Sequence, residues 1–588
     1  MQEVQPVRSP QRWRQYTRQN FIIHSRSLLF ASLIMTLLGS LPLNAFAGET
    51  RTIDGTNNNL QNPAWGSANV QLLRQVLPDY ENGSWTPSGY NRPNVREISN
   101  VVAAQERPIY NEKYATDMVW QWGQFIDHDI DLTEGTDPAE LFPIQIPSGD
   151  PYFDPHSTGT QIMDLNRSAY DPASGTTPTN PRQQLNQITA YIDASMVYGS
   201  DPVRAAVLRT NDGTGRLKTS LGNLLPFNTD GLPNAGGPDP TLFVAGDVRA
   251  NEQVGLTTLH TLFVREHNRL AGIIQRRSPE LTGDQIYERA RAWVGALIQV
   301  ITYQEFLPVL LGPNALKPYT GYDPGVNAGI SNVFSTAAFR LGHSMLSPEL
   351  LRLRKNGTPI PEGNLALRDA FFSPWRITNE RGIDPLLRGL VGNRAQEVDA
   401  YIIDDVRNFL FGPPGAGGFD LASLNLQRGR DHGLPSYNDV RLTFGLSPAV
   451  TFADITGNRH LQERLESVYG AVEKVDVWIG GLAEDHRRGA LVGDLFYTVL
   501  VNQFERLRDG DRFFYLNHYS NYQIKRLEKT TLSDIIRRNT TIGREIQENV
   551  FLLPHQHHHH HGKKVIINLP WESSFRESSS LAVPFFTS

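Results

Sequence analysis

One segment of the chain combines aromatic and ionisable residues more densely than any other, and it reads Trp120-Gln121-Trp122-Gly123-Gln124-Phe125-Ile126-Asp127-His128-Asp129-Ile130-Asp131. Apolar residues recur here and just before it at the three- and four-residue spacing of one helix face. The members of that face are Met118, Trp122, Phe125 and Ile126. The spacing predicts a helix with one apolar face.

The polar residues of this predicted helix point in two directions. Gln124, Asp127 and His128 stand at i, i+3 and i+4 and project together. Asp129 points about 100° away from His128, so one helix could serve two polar sites. A histidine between carboxylates can be a general base, and ionised carboxylates would raise its pKa. A hydrogen-bonded structural histidine is the alternative interpretation.

The 588-residue chain is 39% hydrophobic and 20% charged, a composition typical of globular proteins. From Thr116 onward, helix-like periodicity alternates with long Pro- and Gly-rich loops, and period-two runs are few. We expect a mainly α fold in one large domain over residues 48–554, with residues 48 to about 100 as an extended wrapping segment. Polar residues interrupt the apolar stretch 292–311, which predicts a buried core helix rather than a membrane span.

Cysteine is absent from the chain. This excludes a disulfide framework, a thiol nucleophile and any Cys-ligated zinc, iron–sulfur or haem centre. Redox chemistry, if present, must come from a cofactor with other ligands.

The N-terminus has the pattern of a secretory leader. Five arginines precede the apolar run 28–38, and Ala45-Phe46-Ala47 provides a small-residue cleavage signal. We expect residues 1–47 to be a signal peptide, with an uncleaved anchor as the alternative. Removing its five basic residues and one acidic residue changes the net charge from −6 to −10. That charge argues against nucleic acid or an anionic membrane as the main partner.

The C-terminal tail, residues 555–588, differs in composition from the rest of the chain. His555 and His557 to His561 form a histidine tract. Metal binding, an expression-tag remnant and a disordered appendage are the alternatives for this tail.

A second polar cluster runs from Thr189 to Ser195, where oxygen-bearing residues recur at every second position. An extended loop would direct them to one side. Hydroxyls, a backbone carbonyl and the Asp193 carboxylate, joined by Asp129, would suit calcium, which takes six to eight oxygens. A half-buried strand with polar alternation is the alternative, because the loop has no EF-hand spacing.

Three further segments carry isolated cations and histidines: 245–271, 339–344 and 425–433. Arg265 to Arg269 could simply be a salt-bridged helix end. Gly342 would let a flat ligand approach His343 closely, and a structural core histidine is the alternative. The arginines of the third segment could bind carboxylates or phosphates, or cross-brace loops. Metalloprotease, serine-hydrolase, Walker and dinucleotide motifs are all missing from the sequence.

These segments, taken in order, resemble the animal-type haem peroxidases, the superfamily of lactoperoxidase and myeloperoxidase. The resemblance extends from about Asn100 to Pro554. It rests on six motifs: Trp122-Gly123-Gln124 through Asp127-His128-Asp129, Asp193-Ala194-Ser195, Ala245-Gly246-Asp247 through Arg249, Arg265-Glu266-His267-Asn268-Arg269, Phe339-Arg340 through Gly342-His343, and Asn425 through Arg428 to Asp431-His432-Gly433.

The resemblance implies a helical core around a covalently bound haem. His343 would be the iron ligand, with Asn425 accepting its other ring proton. His128 would transfer the proton of hydrogen peroxide, Arg249 would stabilise the developing negative charge, and Gln124 would hydrogen-bond distal water or an incoming anion.

The resemblance also implies ligands around the haem. Asp127 and Glu252 match the carboxylates that become esterified to haem, while Arg340 and Arg428 would pair with its propionates. Gln253 stands where myeloperoxidase has a haem-bonded methionine, so the pattern is closer to lactoperoxidase. The family's calcium ligands match Asp129, Thr189, Tyr191 (through its carbonyl), Asp193 and Ser195.

The implied function is a secreted, monomeric peroxidase, extracellular or periplasmic, that oxidises bromide, iodide, thiocyanate or phenols in oxidative stress or defence. The leader and the absence of cysteine indicate a bacterial member. A fatty-acid dioxygenase of the same superfamily is one alternative. In cyclooxygenase-like members a radical-forming tyrosine lies three residues before the proximal histidine, and here that position is Arg340. A catalytically silent adhesion protein is the other alternative.

Overall fold

Helices dominate residues 49–554, which the computed structural model describes. The predicted leader 1–47 and tail 555–588 lie outside these residues. The α-helices of the described part are α1 (Val95–Ile98), α2 (Asp117–Ile130), α3 (Ser195–Tyr198), α4 (Pro202–Leu208), α5 (Val254–Arg277), α6 (Gly283–Ile301), α7 (Leu307–Leu311), α8 (Asn332–Thr336), α9 (Trp375–Thr378), α10 (Asp384–Gly392), α11 (Asp404–Arg407), α12 (Leu421–Asp431), α13 (Tyr437–Thr443), α14 (Arg459–Tyr469), α15 (Val477–Ala483), α16 (Asp494–Asp509), α17 (Tyr515–His518), α18 (Asn521–Glu528) and α19 (Leu532–Asn539).

The described part of the chain also contains short π-helical and 3₁₀-helical segments. The π-helical turns are Ser99–Ala103 and Thr302–Phe306, and the 3₁₀ segments are Ala338–Ser344, Leu367–Asp369, Phe452–Asp454 and Val472–Lys474.

Strands are short in the described part and pair only as antiparallel two-residue ladders. β1 (Val70–Gln71) pairs with β4 (Leu185–Asn186), β2 (Ile144–Gln145) with β3 (Ile162–Met163), and β5 (Glu349–Leu350) with β6 (Leu365–Ala366). The mainly α fold expected from the sequence is therefore confirmed.

Helices α2, α5 and α6 form the centre of the core. Helix α5 packs against both α2 and α6, and the apolar face predicted for α2 is fully buried. A capping box between Thr282 and Gln285 starts α6, and the Gln253 side chain caps α5 by accepting from the Gly255 N–H. Buried apolar faces and satisfied helix ends together hold these helices in place.

Residues 283–311 form the one described helix long and apolar enough to cross a membrane. It runs from α6 through a π-helical turn into α7, and 78% of its most apolar window is buried inside the protein. That burial is typical of a core helix, as the interrupted apolar pattern predicts.

The N-terminal segment runs as turns and loops until α1 begins at Val95. It is tied to the far end of the chain, because Asn58 donates to Asp511 at 2.8 Å and Arg512 donates to the Asn58 carbonyl at 2.7 Å. β1 also attaches this segment to the loop that precedes α3.

Candidate active site

A cavity of about 460 Å³ lies among α2, the loop 245–253, the 3₁₀ segment Ala338–Ser344 and α12. Every residue that the sequence predicts for catalysis or haem binding lines it. These residues are Gln124, Asp127, His128, Arg249, Glu252, Arg340, His343, Asn425 and Arg428.

His128 lies near the C-terminal end of α2 and is 4% exposed. Its Nδ1 is 3.7 Å from Asp247 Oδ1 and has no hydrogen-bond partner among the described residues, and its Nε2 is 3.9 Å from Glu252 Oε2. Ionised carboxylates would raise the pKa of His128, and Asp247 acts in that direction. Burial and the Arg249 charge lower that pKa well below its usual value, and they outweigh Asp247. The imidazole is therefore neutral and ready to accept a proton.

Arg249 is held by a carboxylate that the sequence analysis assigned no role. Asp247 Oδ1 accepts from Arg249 Nε and its Oδ2 from a terminal guanidinium nitrogen, both at 2.9 Å. The same terminal nitrogen donates to the Asp131 carbonyl at 2.8 Å. In the sequence, the two-residue spacing of Asp247 and Arg249 could have indicated this contact. The same spacing also fits an ordinary local ion pair with no role at the site.

Close backbone packing positions this loop. A Cβ on Gly246 would lie 2.2 Å from the Ser195 carbonyl oxygen and 2.5 Å from the Tyr198 amide nitrogen. The Asp247 N–H also donates to the Met196 carbonyl at 3.0 Å. Only glycine allows this approach, so α3 and the loop that carries Arg249 are fixed to each other.

An amide network surrounds Gln124. The Gln124 side chain donates to Glu252 Oε2 at 3.2 Å, and Gln253 donates to the side-chain oxygens of Gln121 at 2.6 Å and Gln124 at 3.0 Å. Burial raises the pKa of Glu252 to about 7, although Arg249 opposes the shift. Burial also raises the pKa of Asp127, which lies on the same face of α2 as Gln124. Both carboxyl groups are therefore easily protonated.

His343, in the 3₁₀ segment, contacts α12 through Asn425. Its Nδ1 is 2.7 Å from the Asn425 amide nitrogen, and the Asn425 oxygen accepts from Arg340 at 3.0 Å. This amide orientation is opposite to the expected one, in which Asn425 accepts the ring proton. Rotating the amide by 180° would exchange the two contacts, so Arg340 and His343 compete for the Asn425 oxygen.

Arg428, on α12, binds groups from two other segments. One of its terminal nitrogens donates to the Asn166 carbonyl, Ser168 Oγ and Asp431 Oδ2 at 2.9 to 3.0 Å. Among the described residues, Arg428 forms its hydrogen bonds through this nitrogen alone. The other guanidinium donors of a cavity-lining arginine are then available to an acidic group in the cavity.

The residues lining this cavity fit haem. Burial, with the Arg340 charge, lowers the pKa of His343 to about 3, so its ring is neutral, the form that binds a metal. His343 Nε2 has no hydrogen-bond partner among the described residues. A Cβ on Gly342 would meet no atom within 4 Å, which leaves open space beside His343. The cavity size is in the range of small-molecule and cofactor sites.

The predicted calcium ligands come together beside α2. Ser195 Oγ donates to Asp129 Oδ1 at 3.0 Å, and Thr189 Oγ1 donates to Asp193 Oδ1 at 3.1 Å. Burial and the nearby Asp193 charge raise the pKa of Asp129 well above its usual value. Among the described residues no group of three or more His, Cys, Asp or Glu side chains surrounds a metal position. A cation here would therefore combine two carboxylates with hydroxyl and carbonyl oxygens, such as the Tyr191 carbonyl.

Comparison with known proteins places this site in a family. Residues 50–551 match the sequence profile of the family described as "Animal haem peroxidase". Peroxinectin A of Dictyostelium discoideum is 39% identical over 539 residues, which cover 89% of this chain and 99% of that protein. The peroxidasin homologue of Mus musculus is 40% identical over 559 residues, but this chain spans only 38% of its length.

Two solved structures share the fold. Peroxidase A from D. discoideum superposes with a TM-score of 0.79 at 38% identity and covers 86% of this chain and 100% of that one. A fatty acid alpha-dioxygenase from Oryza sativa superposes with a TM-score of 0.72 at 21% identity, over 86% of this chain and 87% of that one, a likeness of fold alone. The chain belongs to the animal haem peroxidase family and is a haem-dependent peroxidase.

Proposed function

We propose that this protein is an exported peroxidase that uses hydrogen peroxide to oxidise bromide, iodide, thiocyanate and phenols. The observation that carries the proposal is the meeting of a neutral, buried His128 and a charged Arg249 in the cavity that His343 also lines. A base, a cation and a metal ligand in one enclosed site are what peroxide cleavage requires.

The haem would be held by residues from three segments. His343 would bind the iron through Nε2, and Arg340 and Arg428 would pair with the propionates. Asp127 and Glu252 would form ester links, which suits carboxyl groups whose raised pKa favours the neutral form. When bound, haem supplies the electrons that cleavage of the peroxide bond consumes.

Proton transfer would be the role of His128. A neutral ring nitrogen accepts the proton of the bound hydrogen peroxide and then returns it to the departing oxygen. The Asp247 carboxylate raises the pKa of Arg249 above its usual value, although burial opposes the shift, so the guanidinium stays charged. That fixed charge stabilises the negative charge on the departing oxygen.

Anion selectivity would depend on the amides around Gln124. The Gln124 side chain lines the cavity and is fixed by Gln253 and Glu252, so it can hydrogen-bond an incoming anion in a defined position. Gln253 takes the place of the methionine of myeloperoxidase. We therefore expect bromide, iodide and thiocyanate as donors, and little oxidation of chloride.

Calcium would bind between α2 and the loop 189–195. Asp129 directly follows His128, so a cation held there would fix the end of α2 that carries the base. The Ser195–Tyr198 helix also packs on Gly246, which links the same cation to the Arg249 loop.

The domain organisation that we propose has a cleaved signal peptide at residues 1–47, a peroxidase domain at 48–554 and a His-rich tail at 555–588. This leader supports export to the periplasm or the cell exterior, and we propose a mature form that is monomeric and free of membrane. A role in oxidative stress or defence fits an exported enzyme that consumes peroxide.

Steady-state peroxide consumption by the haem-loaded protein tests the proposal, with bromide, iodide, thiocyanate, chloride and a phenol as separate donors. We expect turnover with all of them except chloride, and loss of turnover in His128→Ala. A fatty-acid dioxygenase would instead consume oxygen with a fatty acid, and Arg340 in place of a tyrosine argues against that activity. A silent adhesion protein would show no turnover with any donor.

A further inference from the structure

A second large concavity lies outside the haem cavity and shares no lining residue with it. We name it the basic cleft. It has a volume of about 1650 Å³ and is formed by residues 216–227, the α5 residues 265–269, the turn 353–361, residues 377–388 and the end of α19 with the residues after it. This volume exceeds the usual 300–1,000 Å³ of a small-molecule pocket, so it suits an extended ligand.

The cleft is strongly cationic in a chain whose net charge is −6. Its lining includes one carboxylate, that of Asp384, and eight cationic side chains: Arg216, Arg265, Arg269, Arg354, Lys355, Arg381, Arg388 and Arg538. Such a local excess of positive charge attracts anions and destabilises the protein unless an anion neutralises it.

Four of these cations form no ion pair with a carboxylate of the described residues. Arg216, Arg354 and Lys355 are exposed, and Arg265 donates only to the carbonyls of Gly222, Asn223 and Asn539. Burial lowers the pKa of Arg265 and of Arg538, since the carboxylates nearby do not compensate for it. An acidic ligand would supply the missing negative charge, and arginine binds carboxylate groups bidentately.

The remaining lining favours a carbohydrate chain over other polyanions. Nine Ser, Thr and Asn residues line the cleft, and the side chains of Thr219 and Asn223 have no hydrogen-bond partner among the described residues. Such groups can bind sugar hydroxyls. Among the described residues that line the cleft, Phe227 is the only aromatic one, and one face of its ring is stacked on Phe243 with the ring centroids 4.9 Å apart. Single-stranded nucleic acid needs several free aromatic faces, and a bilayer would not enter a concave cleft.

We propose that the basic cleft binds an acidic polysaccharide through its carboxylate groups. Helix α5 begins at Val254, beside the haem cavity, and carries Arg265 and Arg269 into the cleft. At a rise of 1.5 Å per residue, Val254 and Arg265 are about 16 Å apart along the helix. A bound polysaccharide would therefore hold the peroxidase on an acidic matrix and leave the haem cavity open to small substrates.

The test measures binding of polygalacturonate oligomers to the haem-loaded protein, with neutral dextran of equal length for comparison. The double variant Arg354→Glu/Lys355→Glu reverses two exposed charges that take part in no ion pair. Its control, Arg107→Glu/Arg488→Glu, makes the same change of charge at two exposed arginines outside the cleft. Peroxide consumption should be unchanged in both variants. Unchanged consumption would show that both variants fold, and it would distinguish a failure of polysaccharide binding from a failure of the peroxidase proposal.

We expect binding to polygalacturonate and none to dextran, with affinity at least tenfold weaker in the cleft variant and unchanged in the control. The slope of log Kd against log salt concentration should also fall by about 2 in the cleft variant. An equal loss in both double variants would overturn the proposal, as would no binding at low salt. Tighter binding to duplex DNA or to phosphatidylglycerol vesicles than to polygalacturonate would also overturn it.

Discussion

Asp247 binds Arg249 through both carboxylate oxygens, with two hydrogen bonds of 2.9 Å. The same carboxylate lies 3.7 Å from Nδ1 of His128. One acidic side chain thus determines the position of the cation and faces the base, although it does not itself line the cavity. We therefore propose that Asp247 positions the two groups that are expected to act on peroxide.

Replacing Asp247 with Asn should slow the reaction with peroxide by about 10- to 100-fold, a typical effect of removing a supporting contact. Asparagine keeps the volume but holds Arg249 through one acceptor instead of two. Stopped-flow absorbance at the Soret band measures the rate. The haem content should stay normal, and an unchanged rate would show that Arg249 needs no such support.

Replacing Gly246 with Ala should destabilise the protein by about 1–3 kcal/mol or more and reduce peroxide reactivity, because the new Cβ would overlap the Ser195 carbonyl. Urea unfolding measures the stability. Gly392→Ala is the matched control, since a Cβ there meets only Leu353 at 3.5 Å. Equal stability of the two variants would contradict the close approach of the loop to α3.

Chelation should lower the unfolding temperature and change the Soret spectrum, because calcium would connect Asp129, next to His128, with Asp193. A cation present at 100 times its dissociation constant would stabilise the fold by about 2.7 kcal/mol. Asp193→Asn should abolish this response to chelation. A protein that elemental analysis shows to contain no calcium, with an unchanged spectrum, would remove the site from the account.

Acid should destabilise the fold through Asp476, a buried residue. Burial would raise its pKa, but Arg430 and Arg92 outweigh that effect and lower the pKa to about 2. A pKa below the unfolded value means that the stabilisation is complete above about pH 4 and is lost as the pH falls through 2. Its size is about 2 kcal/mol.

Asp476→Asn tests this pH dependence in urea unfolding experiments. The variant should be clearly less stable than the parent protein at pH 7, because it leaves Arg430 buried without its partner. The difference should shrink between pH 4 and pH 2. A difference that stays constant over this range would contradict the assignment.

Periodicity alone predicts the helix Asp117–Ile130, because its apolar residues keep helical spacing and are all buried. The meeting of His128, His343 and Asn425 in one cavity depends instead on chain segments that are far apart in sequence, since even His343 and Asn425 are separated by 82 residues. No local pattern encodes such contacts, so only the family resemblance predicted them. A salt-bridged helix end was one alternative for Arg265–Arg269. Arg269 does pair with Glu266, but the motif lies inside α5, which extends to Arg277.

Two properties of the distal residues could not be predicted from the sequence, for one physical reason. Ionised carboxylates would raise the pKa of His128, but the net direction of its pKa and the role of Asp247 depend on the fold. Sequence shows which charges are close along the chain, but it does not show burial or the approach of Arg249 from another loop. In the folded protein burial dominates, so the pKa of His128 falls instead.

The most direct test of the account is the absorption spectrum of the haem-loaded protein mixed with one equivalent of hydrogen peroxide, compared with that of His128→Ala. We predict a rapid Soret shift that bromide or thiocyanate reverses, and a variant that retains haem but shifts about 100- to 10,000-fold more slowly. A variant that shifts at the parent rate, or a parent protein whose spectrum does not respond to peroxide, would contradict the assignment of His128 as the base of a peroxidase.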